Sequence, residues 1–132
     1  MGVAVLRFEN GALGVIEGST GVYPGFLKKL EISGTEGSVV LEEESIKVWS
    51  FRNERPEDEE IRRSFADRTK AGGGASDPKA INTLGHELEF RDFADAIISG
   101  RAPEVTGESA TEAVRIIAAI YESAKTGRPA EV

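Results

Sequence analysis

FLKKLEISGTEGSVVLEEESIKVWSF, residues 26–51, reads as three strands with no room for a helix between them. Phe26–Ser33 and Ser38–Glu42 flank the turn Gly34-Thr35-Glu36-Gly37, and Ile46–Phe51 follows the acidic turn Glu42-Glu43-Glu44. Parallel neighbours need a crossover of roughly a dozen residues or more, so these strands pair as an antiparallel meander. Upstream, Val3–Phe8 points Ala4, Leu6 and Phe8 to one face and Val3, Val5 and Arg7 to the other. Asn10-Gly11 accepts the positive φ angles of a type I′ turn, which predicts a hairpin with Ala12–Ser19.

Both faces of these strands carry apolar side chains, where a sheet wet on one side would alternate more cleanly. The expectation is that one face packs on helices and the other meets a second subunit or domain. The competing reading is that small Val and Ala residues are tolerated singly at the surface.

Downstream, Arg52–Lys70 carries six basic and six acidic side chains and few core formers. Ile61 and Phe65, four apart, suit a short helix; a solvated excursion suits the composition equally. Ala71–Ser76 is glycine-rich, and Asp77-Pro78 has the form of a helix cap. A first long helix is expected around His86–Ser99, with Phe90, Phe93, Ala94, Ile97 and Ile98 in one stripe and Gly100 as its stop. A second is expected over Ser109–Thr126, opened by a Ser109/Glu112 capping box and closed by Gly127 and Pro129. Strands first and helices last predict an α+β fold: an open, predominantly antiparallel sheet with helices on one face and the other face available for oligomerisation.

Composition narrows the function. The 132 residues carry 16 basic and 23 acidic side chains, a net charge of −7, with 39% apolar and 30% charged positions, as expected for a single soluble domain with one hydrophobic core. The acidic balance argues against nucleic acid and anionic membranes, which require a concentrated basic face. No cysteine is present, which removes disulfides, thiolate metal sites and a thiol nucleophile and fits a reducing compartment, with the cytoplasm as the expected location. The start, MGVAVLRFEN, lacks a signal peptide's basic and apolar blocks, and no apolar run approaches a membrane span.

Few residues suggest chemistry. His86 is the only imidazole, a group that exchanges protons near neutral pH but that also serves as a cap or surface residue at a helix start. Tyr23, in Tyr23-Pro24-Gly25, offers a phenol to a polar ligand; the tripeptide is equally ordinary turn chemistry. Gly72–Gly74 is not preceded by a strand, and no dinucleotide or P-loop glycine pattern occurs. Glu42–Glu44 and Glu57–Glu60 match no calcium loop and read as solvated faces. One histidine and no GxSxG elbow leave a hydrolase triad unsupported.

In order, AVLRFENGALGVIEGST, YPGFLKKLEISGTEGSVVLE, ASDPKAI and GHELEFRDFADAIISGRAPEVTGESATEAVRIIAAIYESAKTGRP resemble the C-terminal half of the Gfo/Idh/MocA oxidoreductases, which include glucose-fructose oxidoreductase and inositol dehydrogenase. The most specific segments are Leu30–Ser38, Gly85–Pro103 and Ala119–Pro129. The resemblance implies a two-domain parent enzyme whose N-terminal Rossmann domain, absent from residues 1–132, binds NAD or NADP. It further implies a C-terminal domain that shapes a sugar or polyol pocket and associates through its sheet. This chain has no GxGxxG fingerprint, no Glu-Lys-Pro motif carrying the family's catalytic lysine, and no Asp-x-x-x-His pattern. No catalytic, cofactor-binding or metal-binding residue is therefore expected within it. Tyr23 and His86 are its expected substrate-binding groups, His86 matching a later family position at the head of the helix after the variable loop. The Gly72–Asp77 loop is expected nearby. The alternative is a free-standing association or small-ligand-binding module with the same fold.

Overall fold

The computed structural model describes residues 1–66 and 83–132. Five strands and three helices follow one another: β1 (Gly2–Arg7), β2 (Leu13–Gly18), β3 (Lys29–Ser33), β4 (Gly37–Glu42), β5 (Ser45–Phe51), α1 (Pro56–Phe65), α2 (Leu84–Ser99) and α3 (Gly107–Thr126). Every ladder is antiparallel and the class is α+β, as the strand-then-helix order implies. The strands form two sheets, β1-β2 and β3-β4-β5. The chain divides into two compact units, Met1–Gly18 with Gly85–Val132, and Ser19–Leu84.

In the first unit, β1 and β2 pair Val5 with Val15 and Arg7 with Leu13. Their turn is not type I′. Gly11 N–H donates to Phe8 O at 2.9 Å, Phe8 N–H to Ala12 O at 2.9 Å, and only Gly11 takes a positive φ, 87°. This is a type I turn closed by a glycine bulge, because Glu9 and Asn10 both stay at negative φ.

The α3 helix starts two residues before the expected Ser109. Thr106 is its N-cap: its hydroxyl accepts Ser109 N–H at 3.2 Å while Ser109 Oγ accepts Thr106 N–H at 3.1 Å. The Thr-x-x-Ser box, three residues upstream of Ser109/Glu112, satisfies the Thr106 and Ser109 N–H donors and so opens the helix nearly one turn earlier. Gly127 closes the helix at φ 67°, its N–H on Ser123 O at 2.8 Å, and Gly100 takes the same φ after α2. Asp92 brackets the α2–α3 connection: Oδ1 accepts Arg101 Nη2 at 2.6 Å and Oδ2 accepts Glu104 N–H at 2.7 Å. The DFADAI and GRAP segments thus meet through one carboxylate.

In the second unit, β3-β4-β5 forms the expected meander, with a bulge between Val40 and Leu41. The charged excursion after β5 is a helix in its first part. Pro56 opens α1, and Asp58, 6% exposed, accepts Arg55 N–H on Oδ2 at 2.6 Å. Asp58 Oδ1 accepts the indole N–H of Trp49 at 2.8 Å, joining α1 to β5. Arg62 ties the same joint from the next turn, donating to Trp49 O at 3.1 Å and to both Glu54 oxygens at 2.9 and 3.3 Å. The Glu57–Glu60 run is therefore not uniformly a solvated face.

The expected single hydrophobic core is not found: among the described residues only Ala96 is a buried apolar side chain, 3% exposed. On α2 the inward side is Asp92 and Ala96, while Phe90, Phe93, Ile97 and Ile98 of the expected stripe stand exposed. Division into two units lowers what each can bury. Each unit holds about half the chain, and a domain of about 60 residues buries only about 60% of its unfolded surface. The lone β1-β2 hairpin adds little to either face of itself. No helix among the described residues is long and apolar enough to cross a membrane.

Candidate functional site

Tyr23 stands in the connection from β2 to β3, beside the cis Tyr23–Pro24 peptide and Gly25 at φ 85°. Its side chain is almost wholly open, at 97% exposure, so the phenol can both donate and accept a hydrogen bond. His86 lies in the first turn of α2 with its side chain 74% exposed, Nδ1 3.5 Å from Glu89 Oε2 on the same helix face. At that distance the carboxylate lies near the imidazole without a hydrogen bond between them, and the exposed ring can offer its nitrogens to a hydroxyl. Tyr23 belongs to the second unit and His86 to the first. The Gly72–Asp77 loop and the Asp77-Pro78 cap fall outside the described residues.

The glycine turn between β3 and β4 is built on packing. A Cβ added to Gly37 would sit 2.3 Å from Phe51 Cδ1 and 2.7 Å from Ser50 O, so this residue must lack one. Phe51 in turn meets Trp49 edge to face, ring centroids 5.2 Å apart. An open cavity of about 330 Å³ lies against the turn, between Gly34–Ser38 and Ser50–Arg52. Its cation is already partnered: Arg52 Nη2 donates to Thr35 O at 3.3 Å and Nε lies 3.8 Å from Glu36. Tyr23 does not line it. The Leu30–Ser38 segment accordingly owes Gly37 to structure.

The acidic turn serves this chain's own lysine. Lys28 Nζ lies 3.0 Å from Glu44 and 3.5 Å from Glu43, and the Glu44 hydrogen bond leads the pull that raises its pKa above the usual 10.5. Glu43 accepts Lys28 N–H at 3.0 Å while held at φ 52°, the left-handed region. No cluster of three or more metal-ligating side chains occurs among the described residues.

Sequence reasoning missed Asp58 and Asp92. Backbone N–H donors, from Arg55 to Asp58 and from Glu104 to Asp92, are the leading cause that holds each carboxyl below the usual 3.8. Both groups fix local structure. The signal for Asp58 was present as Arg55-Pro56-x-Asp58, a proline at the first helical position with a carboxylate two residues on.

The family described as "Oxidoreductase family, C-terminal alpha/beta domain", GFO_IDH_MocA_C, matches residues 1–132. The chain belongs to this family. The protein named uncharacterized oxidoreductase YrbE of Bacillus subtilis (strain 168) is 29% identical over 130 residues, 98% of this chain and 35% of that protein. The chain thus spans about a third of its relative's length. No solved structure matches it.

A Gfo/Idh/MocA domain raises the question of a dinucleotide. A pyrophosphate cradle needs free N–H groups at a helix entered from a strand through glycines. Here α1 is entered at Pro56 and its N-terminus is taken by the Asp58 carboxylate. The N-terminus of α3 is filled by Thr106, Ser109 and Glu108, whose carboxyl pKa is lowered by its own backbone N–H and the Thr106 hydroxyl. The N-termini of α1 and α3 do not fit the group.

Proposed function

We propose that this chain is the substrate-binding and association domain of an NAD- or NADP-dependent oxidoreductase acting on a CH–OH group of a sugar or polyol, silent by itself. The observation that carries the reading is the family match over the whole chain, together with a relative named as an oxidoreductase that is about three times as long. In the parent protein an N-terminal nucleotide-binding domain holds the cofactor, and its dehydrogenase chemistry is supplied there. Tyr23 and His86 hydrogen-bond substrate hydroxyls. Their exposure in this chain supports that assignment.

Self-association runs through a sheet face. Val3, Val5, Leu13 and Val15 share one side of β1-β2 and are all exposed, a patch of the kind that interfaces cover. Sedimentation of the full-length protein should show a dimer or larger assembly, and a monomer at high concentration contradicts the reading. The working location is the cytoplasm.

The direct test is His86→Ala and Tyr23→Phe in the full-length enzyme. One neutral hydrogen bond lost corresponds to roughly a 2- to 12-fold fall in kcat/KM. Unchanged kinetics with a panel of polyols in both variants removes these residues from the site. If the assembly persists while no polyol is turned over, the domain is an association module instead.

A further inference from the structure

The β1–β2 turn carries a side chain that neither the fold nor the proposed function uses for chemistry. Asn10 is the only one of the three asparagines, Asn10, Asn53 and Asn82, followed by glycine. It is exposed. Nothing beyond its two chain neighbours lies within 4 Å of where a Gly11 Cβ would be, so the turn is open on that side of Gly11. Asn10 Oδ1 accepts Ala12 N–H at 3.0 Å, which polarises the side-chain carbonyl and stabilises the charge that oxygen gains when its carbon is attacked. The Gly11 N–H itself donates to Phe8 O at 2.9 Å, and this bond must open to free the nitrogen.

The geometry points to Asn10 as a site of non-enzymatic covalent modification through a succinimide. The Gly11 nitrogen bonds to Asn10 Cγ, its proton passes through solvent to the side-chain amide, the C–N bond of that amide breaks and ammonia leaves. Solvent water then opens the ring at either carbonyl, giving aspartate or isoaspartate at position 10. No oxidation state changes; an amide NH2 has been exchanged for OH. Each product adds one negative charge to a chain at −7. Isoaspartate also routes the main chain through the side-chain carboxyl, inserting a methylene between residues 10 and 11. That displaces Ala12 O from Phe8 N–H and loosens the first rung of the hairpin.

The gate is one neutral hydrogen bond, a factor of roughly 2 to 12 in an opening equilibrium, so the folded chain reacts within about tenfold of the unfolded rate. The test incubates the full chain at mildly alkaline pH, native and in urea, then follows the tryptic peptide Phe8–Lys28 by mass. The same samples are labelled with an isoaspartyl-specific methyltransferase. The chain contains no glutamine and this peptide contains no other asparagine, so the amide-to-acid mass gain is unambiguous. The expected result is mass gain and methyl labelling in this peptide, little change in the peptide carrying Asn53, and loss of both signals in Asn10→Gln. Equal reaction at Asn53, persistence of the signal in Asn10→Gln, or a native rate more than about tenfold below the urea rate overturns the proposal.

Discussion

Gly37→Ala should unseat the β4–β5 ladder. The new methyl carbon lands 2.3 and 2.8 Å from two ring atoms of Phe51 and 2.7 Å from the Ser50 carbonyl oxygen. The ring can turn away only by giving up its edge contact with Trp49, about 0.5–1.5 kcal/mol. The carbonyl cannot turn without shifting β5, and overpacking of that kind costs about 1–3 kcal/mol. Together the loss is about 1.5–4.5 kcal/mol, or roughly a 10- to 2,000-fold increase in local opening. Amide hydrogen exchange along β4 and β5 reads this directly. Gly34→Ala is the internal control: in the same turn its Cβ meets only Gly37 O, at an ordinary 3.7 Å, and exchange should stay near wild type. A Gly37→Ala loss under about 0.5 kcal/mol, the scale of a neutral surface change, would refute the packing argument.

Thr106→Ala removes the α3 cap and should cost about 1 kcal/mol, seen as faster exchange in the first turn of α3, with Thr106→Ser close to wild type. Gly127→Ala forces a Cβ into the left-handed region at φ 67° and should cost about 1–2 kcal/mol at the other end of that helix. For pH, Asp58 and Asp92 have folded pKa values below 3.8, so their contribution is complete above that value and is lost as pH falls through the lowered folded values. An acid titration should therefore release α1 from β5 and loosen the α2–α3 connection below about pH 3.8, and Asp58→Asn should abolish the first of these steps.

The hairpins were legible because glycine turns separate short alternating runs, and α3 because its period and both ends agree. The first turn was misread because Asn-Gly names two loop geometries; here Glu9 joins the loop and the bulge form follows. α1 was ambiguous for a physical reason: it is held by Asp58 on an indole and Arg62 on a carbonyl, while periodicity registers only Ile61 and Phe65. Burial was the least legible. Phe90, Phe93, Ile97 and Ile98 declare an apolar stripe, but a pattern of residues does not say what lies against it. Tyr23 and His86 stand out by residue chemistry alone, which leaves no periodic mark in the sequence.

Trp49 is the only tryptophan in the chain, and both its ring nitrogen and its main-chain oxygen are gripped by a single helix. Its fluorescence is therefore a gauge of one joint. A shift in emission would announce that α1 has left β5 and would stay silent about the other unit, giving experimenters a built-in optical label for half of the molecule.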